Sequence, residues 1–448
     1  MEGHLEEHTS LISNILIEKL FGTLTYNIHT SDDDKDLLLL YGENGAGKST
    51  ILKLIYHLLN SEPYEGHRTA VSRIPFSRVA ITLTSGMVVT ALKNDPFAND
   101  TYSLRMIPEA GGREFEYTWR HDSNRKDNEK THYTEYCNAL KKAGIKFHFL
   151  SDNRRVEGLT DETNRQFISG RHRQYSHYDI DFARHREILR HRDLDDSTDM
   201  TEILVHDAIE RTLQWFQQQA LSGASAGYTS VNAIYLELLR RIVEPVYYGE
   251  SDLTQLPSKL QSNLRELDSR NPLFSRYGLT PELDTKLLVE LLDKAKENHA
   301  EILNTILQPY LDGHNARLDA LQPVQKIIDE FATILEDFFS RKTIKLDVRN
   351  ELAILSDDGA RLNPRMLSSG EKQLLLLLCN AITARNNGTI FIIDEPEISL
   401  NVKWQRRLIK ALLTCLQGVD SQLIMATHSI EILSQYKSSV VSLDDAQE

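Results

Sequence analysis

Phosphate chemistry is the first thing the residues suggest. Gly42-Glu43-Asn44-Gly45-Ala46-Gly47-Lys48-Ser49-Thr50 fits the pattern G-x-x-x-x-G-K-[ST]. Gly42, Gly45 and Gly47 let the backbone curl so that N–H groups point inward at phosphate oxygens. Asn44 and Thr50 complete the candidate nucleotide-binding stretch. Lys48 offers a point charge to terminal phosphates, and the Ser49 hydroxyl suits Mg²⁺, a hard cation that prefers oxygen. Ile390-Phe391-Ile392-Ile393-Asp394-Glu395-Pro396 delivers two carboxylates from an apolar run. Asp394 would hold Mg²⁺ through water, and Glu395 would polarise an attacking water as general base. Leu367-Ser368-Ser369-Gly370-Glu371-Lys372-Gln373 sets small residues before a helix start. That is either a further anion site or an ordinary N-cap by Ser368 or Ser369. His428, in Ala426-Thr427-His428-Ser429, could hydrogen-bond a γ-phosphate or the attacking water, or be a satisfied structural histidine.

These residues need elements to hold them. Leu37–Tyr41 reads as a buried strand leading into the glycine loop, and Ile51–Leu59 as the helix that follows. Leu24–Ile28, Val79–Thr84, Met87–Leu92, Ser103–Ile107, Phe115–Trp119 and Lys146–Leu150 are further strand candidates; Ser85-Gly86 marks a hairpin. Thr389–Asp394 and Gln422–Thr427 read as buried strands, with helices at Leu374–Leu378 and Leu408–Leu416 and a last strand at Val440–Leu443. Thr343–Val348 and Leu352–Leu355 read as another hairpin. Residues 200–340 are mostly helical. Leu287, Leu288, Leu291 and Leu292, then Ile302, Leu303, Ile306 and Leu307, form an apolar stripe suited to helix packing. Pro309 and Asp312-Gly313-His314-Asn315 suggest a break between two long helices. The fold class expected is α/β at both ends with a large, mainly helical insertion. The lobes run over residues 1–150 and 341–448, and the insertion over 151–340.

Composition narrows the class. The 448 residues carry 51 Lys+Arg against 65 Asp+Glu, a net charge of −14. That balance argues against coating nucleic acid by bulk charge. Residues 281–340 alone hold twelve acids and five bases, whereas 151–192 hold nine Arg, four His and no Lys against seven acids. Arg154 to Arg192 is therefore the place where nucleic acid could bind, unless those arginines pair with the interspersed acids. Cys137, Cys379 and Cys415 give no zinc spacing and no disulfide framework, which suits a reducing cytoplasm. No apolar run is long enough for a membrane span, so no membrane partner is expected.

Together the motifs resemble the ATP-binding-cassette class of ATPases over about 250 residues at the two ends. In that likeness, Leu367-Ser368-Ser369-Gly370-Glu371 is the signature, Asp394 and Glu395 the Walker B and catalytic pair, and His428 the switch histidine. Ser369 and Glu371 depart from the transporter signature, and Asp394-Glu395-Pro396-Glu397 is similar to the soluble branch of chromosome-maintenance, RecF and overcoming-lysogenization-defect ATPases. Lys48 and Asp394 lie 346 residues apart, far more than in a compact transporter cassette. The resemblance implies ATP and Mg²⁺ as ligands and a homodimer or higher homo-oligomer with composite sites. In those sites Ser368 and Gly370 of one protomer cap the γ-phosphate bound at Lys48 of its partner. A glutamine of the Q-loop has no clear counterpart; Asn153, Arg154 and Arg155 are the positional candidates.

The chain carries no second acidic cluster suited to a two-metal nuclease and ends 20 residues after His428. In this it is similar to stand-alone ATPase subunits of two-gene anti-phage systems of the PARIS and Septu types. That likeness implies a separate Toprim or HNH effector. The competing expectation is a RecF-like repair ATPase that clamps DNA directly.

Overall fold

The computed structural model describes residues 10–31, 34–62, 66–108, 114–120, 127–151, 200–226, 231–243, 256–293, 300–385 and 388–444. The Arg154–Arg192 stretch and the candidate Q-loop residues Asn153, Arg154 and Arg155 lie outside the described residues. The chain divides into two compact units, Met1–Val205 with Ser368–Glu448, and His206–Leu367. Among the described residues no helix is long and apolar enough to cross a membrane.

The first unit holds two sheets. Strands β1 (Ile12–Leu20) and β2 (Leu24–His29) precede β3 (Leu37–Tyr41) and helix α1 (Lys48–Leu59). Then come α2 (His67–Arg73), β4 (Arg78–Leu83), β5 (Val88–Leu92), β6 (Thr101–Ile107), β7 (Phe115–Arg120), α3 (Asp127–Lys142) and β8 (Lys146–Leu150). An antiparallel sheet runs β2-β1-β4-β5-β6-β7. In β6, buried Tyr102, Leu104 and Met106 alternate with more exposed residues, because one face meets the core and the other does not, whereas β4 and β5 each carry three consecutive buried residues.

The second unit begins within α4 (Met200–Ala226), followed by α5 (Val231–Val243), α6 (Leu256–Ser275), α7 (Thr285–Asp293) and α8 (Ala300–Phe338). A small antiparallel sheet of β9 (Lys342–Asp347), β10 (Glu351–Ser356) and β11 (Arg361–Leu362) closes it. Two expectations fail here. No break occurs at Pro309; α8 runs through both Pro309 and Pro323. Its apolar face, Leu311, Leu318, Leu321, Ile328, Phe331 and Leu335, is almost wholly buried, and that packing outweighs the cost of about 3 kcal/mol at each proline, from a lost hydrogen bond and a ring clash. The stripe expected to pack between helices is partly solvent-facing: Leu287, Ile302 and Ile306 are exposed.

The chain returns to the first unit with α9 (Ser369–Thr383), β12 (Thr389–Asp394), α10 (Val402–Leu416), β13 (Ser421–Thr427), α11 (Ile430–Leu433) and β14 (Val440–Ser442). These strands build a fully parallel sheet with order β14-β3-β13-β12-β8. Leu37–Leu40 and Ile390–Ile393 are at most 1% exposed, as continuous apolar strands of a parallel sheet must be. One apolar core links the two sheets through Ile15 and Ile17, Ile51, Ile55 and Leu58 of α1, Trp119, and Ile392 and Ile424. Gln422, fully buried, crosses between them: its amide exchanges hydrogen bonds with Ile12 N and O, and donates to Lys35 O. A parallel sheet delivers ligands to the carboxyl ends of its strands, and every strand-borne candidate lies at that edge.

Candidate nucleotide site

The register sets the spacing. Thr427 of β13 pairs with Tyr41 of β3, and Asp394 of β12 pairs with Ala426 of β13. The glycine loop, the carboxylates and the histidine thus leave three adjacent strands at one level. At about 4.8 Å per strand, the first and second lie about 10 Å apart with the histidine turn between them.

The glycine loop wraps onto α1. Gly47, the residue before Lys48, has φ of 83°, and Gly45 has φ of 95°. A side chain at either would be strained; at Gly47 a Cβ would also lie 2.8 Å from Leu20 Cδ2. Lys48 is buried, and its Nζ donates to Gly42 O at 2.7 Å and Glu43 O at 3.0 Å. Those bonds use two of the three donors of an ammonium. Ser49 and Thr50 occupy the first turn of α1, where unpaired N–H groups and the helix dipole favour an anion. Asn44 is exposed in the loop.

Two braces of this loop escaped the sequence reading. Tyr26 of β2 donates its hydroxyl to Ala46 O at 2.8 Å. Burial and then the nearby Asp444 carboxylate push its phenol above the usual range, so it remains a donor. Asp444 accepts from Glu43 N at 2.8 Å across 401 residues. The only sequence sign of Tyr26 was its place in an alternating strand; Asp444 left none.

The carboxylates sit where β12 stops. Asp394 is 3% exposed. Glu395 adopts φ of 50°, uncommon for a side-chain-bearing residue, and its N–H donates to Ala426 O at 2.9 Å. That conformation ends the strand and turns the carboxylate out of the sheet. His428 Nδ1 lies 3.7 Å from Glu395 Oε1 and 3.5 Å from Glu397 Oε1. Glu397, unassigned in the sequence, is buried. Its Oε1 accepts from Thr427 Oγ1 at 2.6 Å and His428 N at 2.8 Å. The signal that could have found it is an acid two residues beyond Glu395, on the far side of a proline.

The signature residues form the start of α9. Ser368 is the N-cap in a reciprocal capping box: Glu371 N donates to Ser368 Oγ at 3.3 Å, and Ser368 N donates to Glu371 Oε2 at 2.8 Å. Ser368 Oγ also donates to Glu371 Oε2 at 2.9 Å. The ordinary N-cap is therefore present, made by Ser368. Its described hydrogen bonds all lie in its own turn and none reaches the glycine loop. Ser368 and Ser369 are exposed, whereas Gly370 is buried. A Cβ on Gly370 would fall 2.6 Å from Ser399 O and 3.3 Å from Trp404, so glycine lets α9 press against the loop after β12.

The donors fit a magnesium nucleotide. Among the described residues no three His, Cys, Asp or Glu gather into a metal cage. Mg²⁺ commonly takes one or two protein oxygens and shares the rest with phosphates and water. Ser49 and Asp394 are the oxygens such a cation would use.

A phosphate loop after a central parallel strand, with an Asp-Glu pair ending the next strand but one, is the arrangement of a P-loop ATPase. Within that class the chain belongs to the family described as "AAA domain, putative AbiEii toxin, Type IV TA system", which matches residues 37–434. It is similar to "Retron Ec83 probable ATPase" of Escherichia coli, 21% identical over 252 residues, covering 54% of this chain and 42% of that protein. It is also similar to "Putative ABC transporter ATP-binding protein" of Clostridium tetani (strain Massachusetts / E88), 25% identical over 219 residues, covering 42% of this chain and 49% of that protein. The chain thus spans about half or less of the length of these curated relatives. Among solved structures, the Smc head domain with an extended coiled coil bound to the C-terminal domain of ScpA, from Pyrococcus furiosus, aligns over 97% of this chain and 93% of that one. The TM-score is 0.39 and the identity 13%.

Proposed function

We propose that this protein binds ATP with Mg²⁺ and hydrolyses it at composite sites between two protomers. We further propose that the cycle gates a separate effector, a Toprim or HNH nuclease, in anti-phage defence. The observation that carries the reading is the convergence of Lys48, Asp394, Glu395 and His428 on one edge of one parallel sheet. ATP and Mg²⁺, when bound, supply the phosphoryl group and the cation that offsets its charge. Lys48 and the first N–H groups of α1 hold the phosphates. Ser49 and Asp394 hold the cation. Glu395 orients the attacking water and takes its proton, and the His428 ring hydrogen-bonds that water. Ser368 and Gly370 of the partner close the site, which suits their position away from the glycine loop of their own chain.

The likeness to a retron ATPase and to the toxin–antitoxin family supports the defence role. The acidic stretch 281–340 suits a basic protein partner. Two experiments test the proposal. Purified protein should release phosphate from ATP in a Mg²⁺-dependent way. Affinity purification from cells should recover the product of a neighbouring nuclease gene. ATP turnover without any such partner, and phage protection by this chain alone, would leave the ATPase standing and overturn the effector role.

A further inference from the structure

We infer that Glu397 is a positioning residue for the nucleotide site, one that holds the His428 ring proton on Nδ1 and so keeps Nε2 as an acceptor for the attacking water. The inference rests on the proposed ATPase reading for its purpose, but not for its geometry.

The parallel ladder of β12 and β13 ends at Asp394 and Ala426. Beyond it the Glu395 N–H to Ala426 O bond is the last backbone link. Side chains then take over, Glu397 foremost. Glu397 is 6% exposed, and its Oε1 receives the Thr427 hydroxyl and the His428 N–H. Thr427 Oγ1 in turn accepts from Ser429 N at 3.0 Å. One carboxylate oxygen thus ties Thr427 and His428 N together, while Ser429 Oγ donates to Gln405 Oε1 at 2.7 Å on the far side of the turn. On its own side, Glu397 O accepts from Leu400 N at 2.9 Å, so the acid is held from both directions.

The same oxygen faces His428 Nδ1 at 3.5 Å, with Glu395 Oε1 at 3.7 Å from that atom. Two carboxylate oxygens near one ring nitrogen favour the tautomer with its proton there, because a lone pair would repel both. Glu397 sets the preference, since its oxygen is pinned by two donors. The second oxygen, Oε2, is buried and has no hydrogen-bond partner among the described residues. A buried carboxylate that leaves one oxygen unsatisfied costs stability, and placing a neighbouring group is a function that offsets it.

Glu397→Gln tests this while sparing the fold, because the amide oxygen can still accept from Thr427 and His428 N while the negative charge facing Nδ1 is removed. The full chain labelled with ¹⁵N-histidine is examined without nucleotide near pH 8, where histidine is ordinarily neutral. His428→Asn identifies the signals of interest. The wild-type ring should show a protonated Nδ1, and Glu397→Gln should shift the ring toward protonated Nε2 with an unchanged melting temperature. In ATP turnover the variant should lose at least about tenfold in kcat with KM within about twofold, consistent with general-acid–base positioning. A wild-type ring protonated on Nε2, or a tautomer that Glu397→Gln does not move, would overturn the inference. If the protein proves unable to hydrolyse ATP, the ring-nitrogen shifts still decide where the proton sits.

Discussion

Replacing Gly370 by alanine should uncouple hydrolysis from nucleotide binding. The added Cβ would meet Ser399 O at 2.6 Å, whereas ordinary contact begins near 3.4 Å. The start of α9 must therefore retreat by about 0.8 Å, since the obstacle is backbone. Helix propensity favours alanine by about 1 kcal/mol and overpacking costs about 1–3 kcal/mol, so the protein should fold with little change in melting temperature. Ser368 lies two residues from the new methyl and moves with it. A displacement near 1 Å can cost about 100-fold in rate, so kcat should fall on the order of tenfold to a hundredfold. ATP affinity should change less than about twofold, because the glycine loop follows β3 and not α9. The assays are steady-state phosphate release and equilibrium binding of a fluorescent ATP analogue. Unchanged turnover, or parallel loss of binding and turnover, would refute the reasoning.

Three other outcomes follow from the same geometry. Lys48→Ala should abolish ATP binding in calorimetry, since it removes the buried cation of the loop. Tyr26→Phe should weaken ATP binding about two- to tenfold, the value of one hydrogen bond of about 0.5–1.5 kcal/mol, without changing kcat. His57 and His67 face each other at 2.9 Å between Nδ1 atoms. Burial foremost, with the neighbouring Arg68 cation contributing, lowers both to about 3. Their folded values lie below the usual 6.5, so the unfolded chain takes up protons first as pH falls. The stability they contribute is complete above pH 6.5 and is lost progressively toward pH 3. Between pH 7 and 5 the loss should be about 2 kcal/mol for each imidazole. Urea unfolding of the His57→Gln/His67→Gln double variant should show a flatter dependence over that range; an unchanged slope would show that the pair does not titrate on unfolding.

Much of this was legible because the informative residues sit in short, regular pieces. Leu37–Tyr41, Thr389–Asp394 and Ser421–Thr427 are apolar runs that must be buried, and each is followed at once by its candidate group. β1 was not legible. Its buried residues, Ile12, Ile15, Ile17 and Leu20, break period two twice, and its pairings shift register at both places. The continuous helix through Pro309 was hidden for a different reason. Local propensity argued for a break, and only the burial of its apolar face decides otherwise. Tyr26 and Asp444 act on backbone groups 20 and 401 residues away, so spacing alone gave no route to them; Glu397 stood close to Glu395, but its hold on His428 N, 31 residues on, did not show in the spacing.

The most direct test of the composite-site account is sedimentation of Glu395→Gln with and without ATP and Mg²⁺, alongside its hydrolysis rate. The account predicts a monomer without nucleotide, a stable dimer with it, and hydrolysis reduced to background. A variant that hydrolyses ATP at the wild-type rate, or that binds ATP and stays monomeric, would contradict it.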